Sequence, residues 1–348
     1  MIVILGPTAS GKTSLAIAVA LEYDGEVISA DSRQVYKGMD IGTGKDLGDY
    51  LIGEKKILYH LIDIVEPGYE YNLFEFQRDF LTVYQDIIQR NKLPVLCGGT
   101  GLYIEAVLRG FDLPPMEKDP QFENSLQYKT KEELVEMLKG LRPLHNTTDI
   151  LDKQRLIKAI EISSQAVTGK SHPLNDDDPN EAFFSSPQRH RDTEKGKSPE
   201  DNSVSSCLRG EENHSGLSGK DRRQELMNCV IFGIRFEREQ IRRRITERLE
   251  RRFQNGLIEE VQRLLSSGLT PGQLKFYGLE YKFVTLYLSK EISFNEMFRL
   301  LNIAIHQYAK RQMTWFRKME RNGFIIHWLD GDSGTEEKID AIKRFFQQ

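Results

Sequence analysis

Only three cysteines occur in 348 residues, at Cys97, Cys207 and Cys229. They form no C-x-x-C pair, which excludes a disulfide framework, argues against a structural zinc site and leads us to expect a reducing compartment, the cytoplasm. Long apolar runs are also lacking. The opening "MIVIL" passes within a few residues into a glycine-rich stretch, so it reads as a strand rather than a signal peptide, and no segment is long enough to span a bilayer as a helix. A dominant charge is missing too, with 48 Lys and Arg against 52 Asp and Glu. A net charge of −4 makes the whole chain no magnet for nucleic acid, so a basic site has to be local.

What is present is the composition of a soluble globular protein, 39% hydrophobic and 29% charged, with a length that suggests about two domains. Over the first hundred residues strand-like and helix-like segments alternate. "IVIL", "EVISA", "ILYHLIDIV" and "LPVLCGG" read as strands; "KTSLAIAVALEY", "NLFEFQRDFLTVYQDIIQRN" and "GLYIEAVL" carry helical spacing. Such alternation predicts a parallel sheet with right-handed crossovers, so we place a first part of an α/β core at 1–113.

Beyond Pro115 the strand signals stop, and 114–228 reads as an inserted helical region with helices at "KEELVEMLKGL" and "DKQRLIKAIEISSQAV". Within it, 170–221 is polar and poor in large apolar residues, the composition of a disordered surface insertion; a functional tail is the alternative. The core resumes over 229–348, with the strand "NCVIFGIRF", two long basic helical stretches ending at Gly268 and Gly323, a short strand "FIIHW" and a C-terminal helix.

The chemistry begins at "GPTASGKT". Gly6, Gly11, Lys12 and Thr13 match G-x-x-x-x-G-K-[ST] between a strand and a helix, the setting this phosphate loop requires. Loop amides from Gly6, Thr8, Ala9, Ser10 and Gly11, in a loop that includes Pro7, and the helix N-terminus gather an anion; Lys12 adds a positive charge, and the Thr13 hydroxyl can ligate Mg²⁺. (Proline offers its position in the loop but no N–H.) The fold class is therefore α/β, a P-loop NTPase-like parallel sheet flanked by helices. Two companions of a nucleotide hydrolase are absent: no acid ends the strand "PVLCGGTGLY", and no Asn-Lys-x-Asp guanine reader occurs. Asp63 is left as a candidate metal partner.

A second site is "ISADSRQVYKGMDIGTGK". Asp31 follows a buried strand and should stand at the ligand-binding edge of the sheet, as a general base or metal ligand, or as the N-cap of a following helix.

"GPTASGKT", "DSRQVYKGMDIGTGK", "GGTGLY", "DKQRLIKAIEI" and "AKRQMTWFR" occur together and in order. With them the chain resembles the tRNA dimethylallyltransferase (tRNA isopentenyltransferase) family of bacterial type, over nearly all of its length except the polar insertion. The resemblance implies transfer of a dimethylallyl group from dimethylallyl diphosphate to N6 of adenosine 37 of tRNA. The loop would then hold the donor diphosphate rather than spend ATP, with Mg²⁺ as cofactor. Asp31 matches the family's general base and Thr100 a residue near the reacting centre. An arginine before an isoleucine and another four residues later map to Arg244, as a catalytic residue, and Arg248, on the diphosphate. Asp31, Ser32, Arg33 and Gln34 match one tRNA-contacting segment, and Gln154, Arg155, Leu156, Ile157 and Lys158 a second. Tyr308, Trp315 and Phe316 interleave with cations in the family's tRNA-binding region, although the same pattern makes an amphipathic helix with an aromatic core face.

The text "LRPLHNTTDILDKQR" departs from the family's D-P-x-x-A segment, and the stretch after "TGK" is longer than usual. Both bear on substrate choice more than on the reaction. No C-terminal zinc finger is seen. A monomer is expected. The competing readings are a small-molecule phosphate-loop kinase using ATP, an adenylate (AMP) isopentenyltransferase, and an RNA-binding protein without catalysis.

Overall fold

The four residues of β1, Ile2–Leu5, are apolar and fully buried, which is how a central strand of a parallel sheet covered on both faces reads. The computed structural model describes residues 1–111, 120–141, 153–168 and 229–347. Around β1 it arranges β2 (Gly25–Ser29), β5 (Tyr59–His60), β6 (Leu93–Gly98), β7 (Val230–Arg235) and β8 (Ile326–Asp330) in the order β5-β2-β6-β1-β7-β8, and every neighbouring pair is parallel. A separate antiparallel pair, β3 (Leu51–Ile52) and β4 (Lys55–Lys56), turns at Gly53.

Period-two alternation splits the sheet's apolar residues between two faces. Ile2, Ile4, Val27, Val95, Phe232 and Ile234 face α1 (Lys12–Glu22) and the C-terminal helix α12 (Thr335–Phe346), which contribute Leu15, Val19, Ile342 and Phe346. On the other side α2 (Leu73–Gln89) and α3 (Gly101–Arg109) pack against β2 and β6, with Phe76 stacked on Tyr103 at 4.1 Å. The start of α2 is set by Asn72, whose side chain accepts the Glu75 N–H while Glu75 returns a bond to the Asn72 N–H.

The chain divides into two units, Met1–Gly110 with Arg189–Gln348, and Phe111–Gln188. In the second, α4 (Pro120–Gln127), α5 (Lys131–Leu141) and α6 (Lys153–Thr168) bury Leu126, Leu134, Leu138, Leu156 and Ile160 against one another. The helices expected here are present; the segment 170–221 lies outside the described residues.

Two expectations need correction. "ILYHLIDIV" forms only the two-residue β5, because Leu61 and Asp63 take left-handed φ values of 59° and 56°. Asp63 is turned to pair with the buried ammonium of Lys45, and the chain continues as a loop bonded to Gln34 and Val35. The first basic stretch is two helices rather than one. α7 (Arg238–Gln254) ends at Asn255, Gly256 adopts φ 96°, and α8 (Leu257–Ser266) starts after it. A residue with a Cβ at Gly256 would be strained there. Then α9 (Pro271–Phe276) and α10 (Leu279–Leu288) lead to α11 (Phe294–Arg321), one unbroken helix of 28 residues. Gly268 and Gly323 follow the helix ends in left-handed conformations, as the spacing predicted. No helix among the described residues is long and apolar enough to cross a membrane.

Candidate active site

The C-terminal ends of β1, β2 and β6 deliver three loops to one edge of the sheet, where open α/β sheets bind ligands. From β1 comes the phosphate loop, Gly6–Thr13. Gly11 has φ 79°, open to glycine alone without strain, and it turns the chain into α1 with its first N–H groups free. Ala9 is also left-handed, at φ 63°, and packs against the α7–α11 cluster. Inside the loop, Ser10 Oγ is buried without a hydrogen-bond partner, a donor that a phosphate oxygen would satisfy. Burial pulls the Lys12 ammonium below its usual pKa; Cys97 and Asp31 oppose this, and Arg248 adds to it. Cys97 in turn is pushed up to about 12 by its own burial, so it is a neutral thiol and no nucleophile.

From β2 comes Asp31. It does not cap a helix: its Oδ1 accepts the Arg33 N–H at 2.9 Å, an Asx turn, and its charge favours the Lys12 ammonium against burial. From β6 comes Gly98–Gly101. Thr100 Oγ1 accepts the Ser32 N–H at 3.3 Å, and the hydroxyl of Tyr308 on α11 lies beside it. Thr100 thus joins the β6 loop to the Asp31 loop.

Arg244 and Arg248 both reach this edge. Arg244 Nε donates to the carbonyl of Ala9 at 3.0 Å, its guanidinium lies 4.8 Å from the Phe236 ring, and its Nη2 is the nearest atom to the open side of Gly11. Arg248 donates to Asp46 at 2.7 Å, and burial lowers its pKa from the usual guanidinium value. On the same stripe, i+4 from Arg248, Arg252 pairs with Glu280 at 2.6 Å. Arg242, Arg243 and Arg251 are exposed, so the solvated-face reading holds for them.

Several residues take roles other than those expected. Gln34 is buried, accepting from Ser29 Oγ at 2.8 Å and donating to the Gly44 carbonyl at 3.1 Å. It ties the 40–46 loop to the end of β2. Leu156 and Ile157 are core residues of the second unit, so their side chains pack inside α6 and present nothing to RNA. Gln154, Arg155 and Lys158 lie on α6, and their side chains are outside what the structure describes. Asp63 is bound to Lys45, which also donates to the Tyr36 carbonyl and Asp40 at 2.7 Å each, and so is not free to ligate a metal. Phe316 is buried, Trp315 lies on Gly101 with Lys318 Nζ 4.5 Å from its ring, and only Tyr308 reaches the site.

Two residues were missed. Gln312 on α11 is buried and joins two of the loops: its Oε1 accepts the Thr8 N–H at 2.8 Å, and its Nε2 donates to the Gly99 carbonyl at 2.9 Å. A Cβ on Gly99 would collide with that amide, which accounts for glycine there. Glu260 on α8, almost fully buried, accepts the N–H groups of Asp40, Ile41 and Gly42 at 2.8–3.0 Å and the Tyr281 hydroxyl at 2.8 Å. Gln312 stood inside "AKRQMTWFR", where the surrounding cations masked it.

The described residues contain no group of three or more His, Cys, Asp or Glu side chains placed to hold a metal ion. Magnesium does not need one. It commonly takes one or two protein oxygens and completes its octahedron with substrate phosphate and water, and the Thr13 hydroxyl and Asp31 carboxylate are oxygens of the right hardness.

A family model described as IPP transferase matches residues 34–319, and another described as isopentenyl transferase matches 1–65. This chain belongs to the tRNA dimethylallyltransferase family. The curated tRNA dimethylallyltransferase 1 of Parabacteroides distasonis is 47% identical over 344 residues, covering 99% of this chain and 96% of that one. The tRNA dimethylallyltransferase 2 of Bacteroides fragilis (strain ATCC 25285) is 46% identical, covering 99% and 97%. Among solved structures, the tRNA isopentenylpyrophosphate transferase of Bacillus halodurans superposes with a TM-score of 0.62 at 27% identity, covering 99% of this chain and 95% of that one. As a tRNA dimethylallyltransferase family member the chain is a prenyl-transferring enzyme, and the fold agrees with its P-loop-like sheet.

Proposed function

We propose that this enzyme transfers a dimethylallyl group from dimethylallyl diphosphate to N6 of adenosine 37, beside the anticodon of tRNA, and releases diphosphate. The observation that carries the reading is the single sheet edge shared by a phosphate loop, after β1, and a carboxylate, Asp31, after β2. The N6 amine is a weak nucleophile because its lone pair is drawn into the purine. As the N6–C1 bond forms, the C1–O bond breaks and its electron pair leaves with diphosphate. Asp31 takes the N6 proton. Loop amides, Lys12, Arg244 and Arg248 stabilise the charge on the departing diphosphate. When Mg²⁺ is bound, held by Thr13, it adds to that neutralisation. Ser32 and Arg33 contact the RNA beside the extruded adenine, since chemistry on a base requires it unstacked. Gln154, Arg155 and Lys158 of the second unit supply further RNA contacts.

The test is transfer to an anticodon stem-loop by the purified full chain with donor and Mg²⁺, followed by nucleoside mass spectrometry. One dimethylallyl group on adenosine 37 is expected. Phosphorylation of a small molecule by ATP, preferential prenylation of AMP, or RNA binding without product would each overturn the proposal. Asp31→Asn separates base from scaffold, because asparagine makes the same Asx turn without the proton affinity. Its single-turnover rate should fall by about 10²–10⁴-fold with donor and RNA saturating. A rate near wild type would retire Asp31 as the base.

A further inference from the structure

Phe276, the last residue of α9, exposes 57% of its surface beside the Asp31 loop. The Arg33 guanidinium carbon lies 5.5 Å from the centre of its ring. Arg33 is the residue whose N–H holds the Asp31 carboxylate, so cation and carboxylate lie within three residues of chain and the ring meets them from α9. Aromatic packing lies behind the platform. Phe276 meets Tyr277 edge-on at 5.9 Å; Tyr277 is buried and meets Tyr36, on the Asp31 loop, at 4.6 Å. A second pair repeats the pattern on α11, where the Arg311 guanidinium lies 5.9 Å from the ring of Tyr308, itself beside Thr100.

We infer that Phe276 with Arg33 is a stacking platform for a nucleobase of the RNA adjacent to the adenosine that enters the site. The inference rests on the proposed RNA substrate and names a contact for it. An exposed aromatic face with a guanidinium beside it is the surface on which unstacked bases settle, and the cation lies within reach of the neighbouring phosphate. A prenyl tail would instead require an enclosed apolar pocket, and this ring is open to solvent. Base stacking here compensates for the unstacking that flipping the target adenine demands.

The experiment measures the affinity of the full chain for a fluorescently labelled anticodon stem-loop by anisotropy, in Phe276→Ala, Phe276→Leu and Phe276→Trp. Alanine and leucine should each weaken binding by about 5- to 100-fold, since leucine keeps apolar bulk but has no π face. Tryptophan should stay within about threefold of wild type. Donor KM and the single-turnover rate at saturating RNA should hold within about twofold in all three. Because the side chain is exposed, melting temperatures should barely change. RNA affinity within about twofold of wild type in both alanine and leucine variants would overturn the inference, as would a raised donor KM with RNA binding intact, which would assign the ring to the prenyl group. If the wild type itself binds no RNA, the proposed function falls as well; if it binds and modifies RNA while the variants are unaffected, the platform alone is wrong.

Discussion

Strands β2 and β6 run side by side, yet their two ends are built in opposite ways. At the N-terminal end the charges are matched. Both oxygens of the buried Glu26 carboxylate are bonded by Arg90, and one also meets His60 at 2.7 Å. Arg90 also pairs with Asp86 at 2.7 Å, and Lys92 with Asp24 at 2.6 Å. At the C-terminal end Lys12 and Asp31 have no ion-pair partner within bonding distance among the described residues, and Ser10 Oγ has no partner at all. Neutralised charge gives stability. Charge held close without being neutralised gives a site that an incoming diphosphate can complete, at some expense to the empty fold.

The difference predicts how each end responds to mutation. Lys12→Ala should have the largest effect, lowering turnover by about 10²–10³-fold and weakening donor binding. The melting temperature should hold or rise, because a half-buried cation without an ion-pair partner among the described residues is removed. Calorimetric titration with dimethylallyl diphosphate and a thermal melt would check both, and a loss of stability together with activity would break the contrast.

Gln312 falls between the extremes, since it is a structural link inside the functional end. Gln312→Met fills the space but leaves the Thr8 N–H and the Gly99 carbonyl without partners, a cost of about 1–3 kcal/mol. Donor KM should rise by about five- to tenfold, with a smaller change in RNA affinity. Gln312→Glu retains the acceptor for Thr8 N–H and should recover part of the loss. If both variants shift donor and RNA binding equally, the side chain supports the fold at large and not the phosphate loop.

At the opposite end, Glu26→Gln should leave kinetics unchanged and cost roughly 1–3 kcal/mol of stability, because a buried, hydrogen-bonded carboxylate is lost. Hydrogen bonding to Arg90, helped by His60 against the opposing cost of burial, holds the Glu26 pKa below its ordinary 4.5. Its contribution is therefore present in full above that value and is lost as the pH falls through the lowered folded pKa. Urea unfolding at neutral pH and at acid pH should show the gap between wild type and variant narrowing on acidification. A constant gap would show that packing, not ionisation, sets its size.

Much of this was legible in the linear chain. "IVIL" leading into "GPTASGKT" announced a buried strand and a phosphate loop, since local spacing and glycine placement are properties of contiguous residues. The helices α2, α3, α5, α6 and α11 followed from periodicity in the same way. Asp31 could be placed at the sheet edge because it directly follows a buried strand. The failures share one cause. Asp63 read as a strand residue and a candidate metal partner, until the fold brought Lys45 to it. Gln34 carries a bond to the Gly44 carbonyl that nothing beside it in the chain marks. Gln312 is 304 residues from Thr8, and nothing in its neighbourhood along the chain marks that bond.

The sequence alone thus determined which chemistries are available: a loop for phosphate, a carboxylate beside it, arginines spaced along one helix. It could do so because strand, loop and helix signals, and the spacing of Arg244 from Arg248, are set within a few residues. The tertiary structure decided which of those groups are neutralised and which are left to act. Pairing depends on distances between loops that arrive from β1, β2 and β6, and α7, α8 and α11 set those distances through Arg244, Arg248, Glu260 and Gln312.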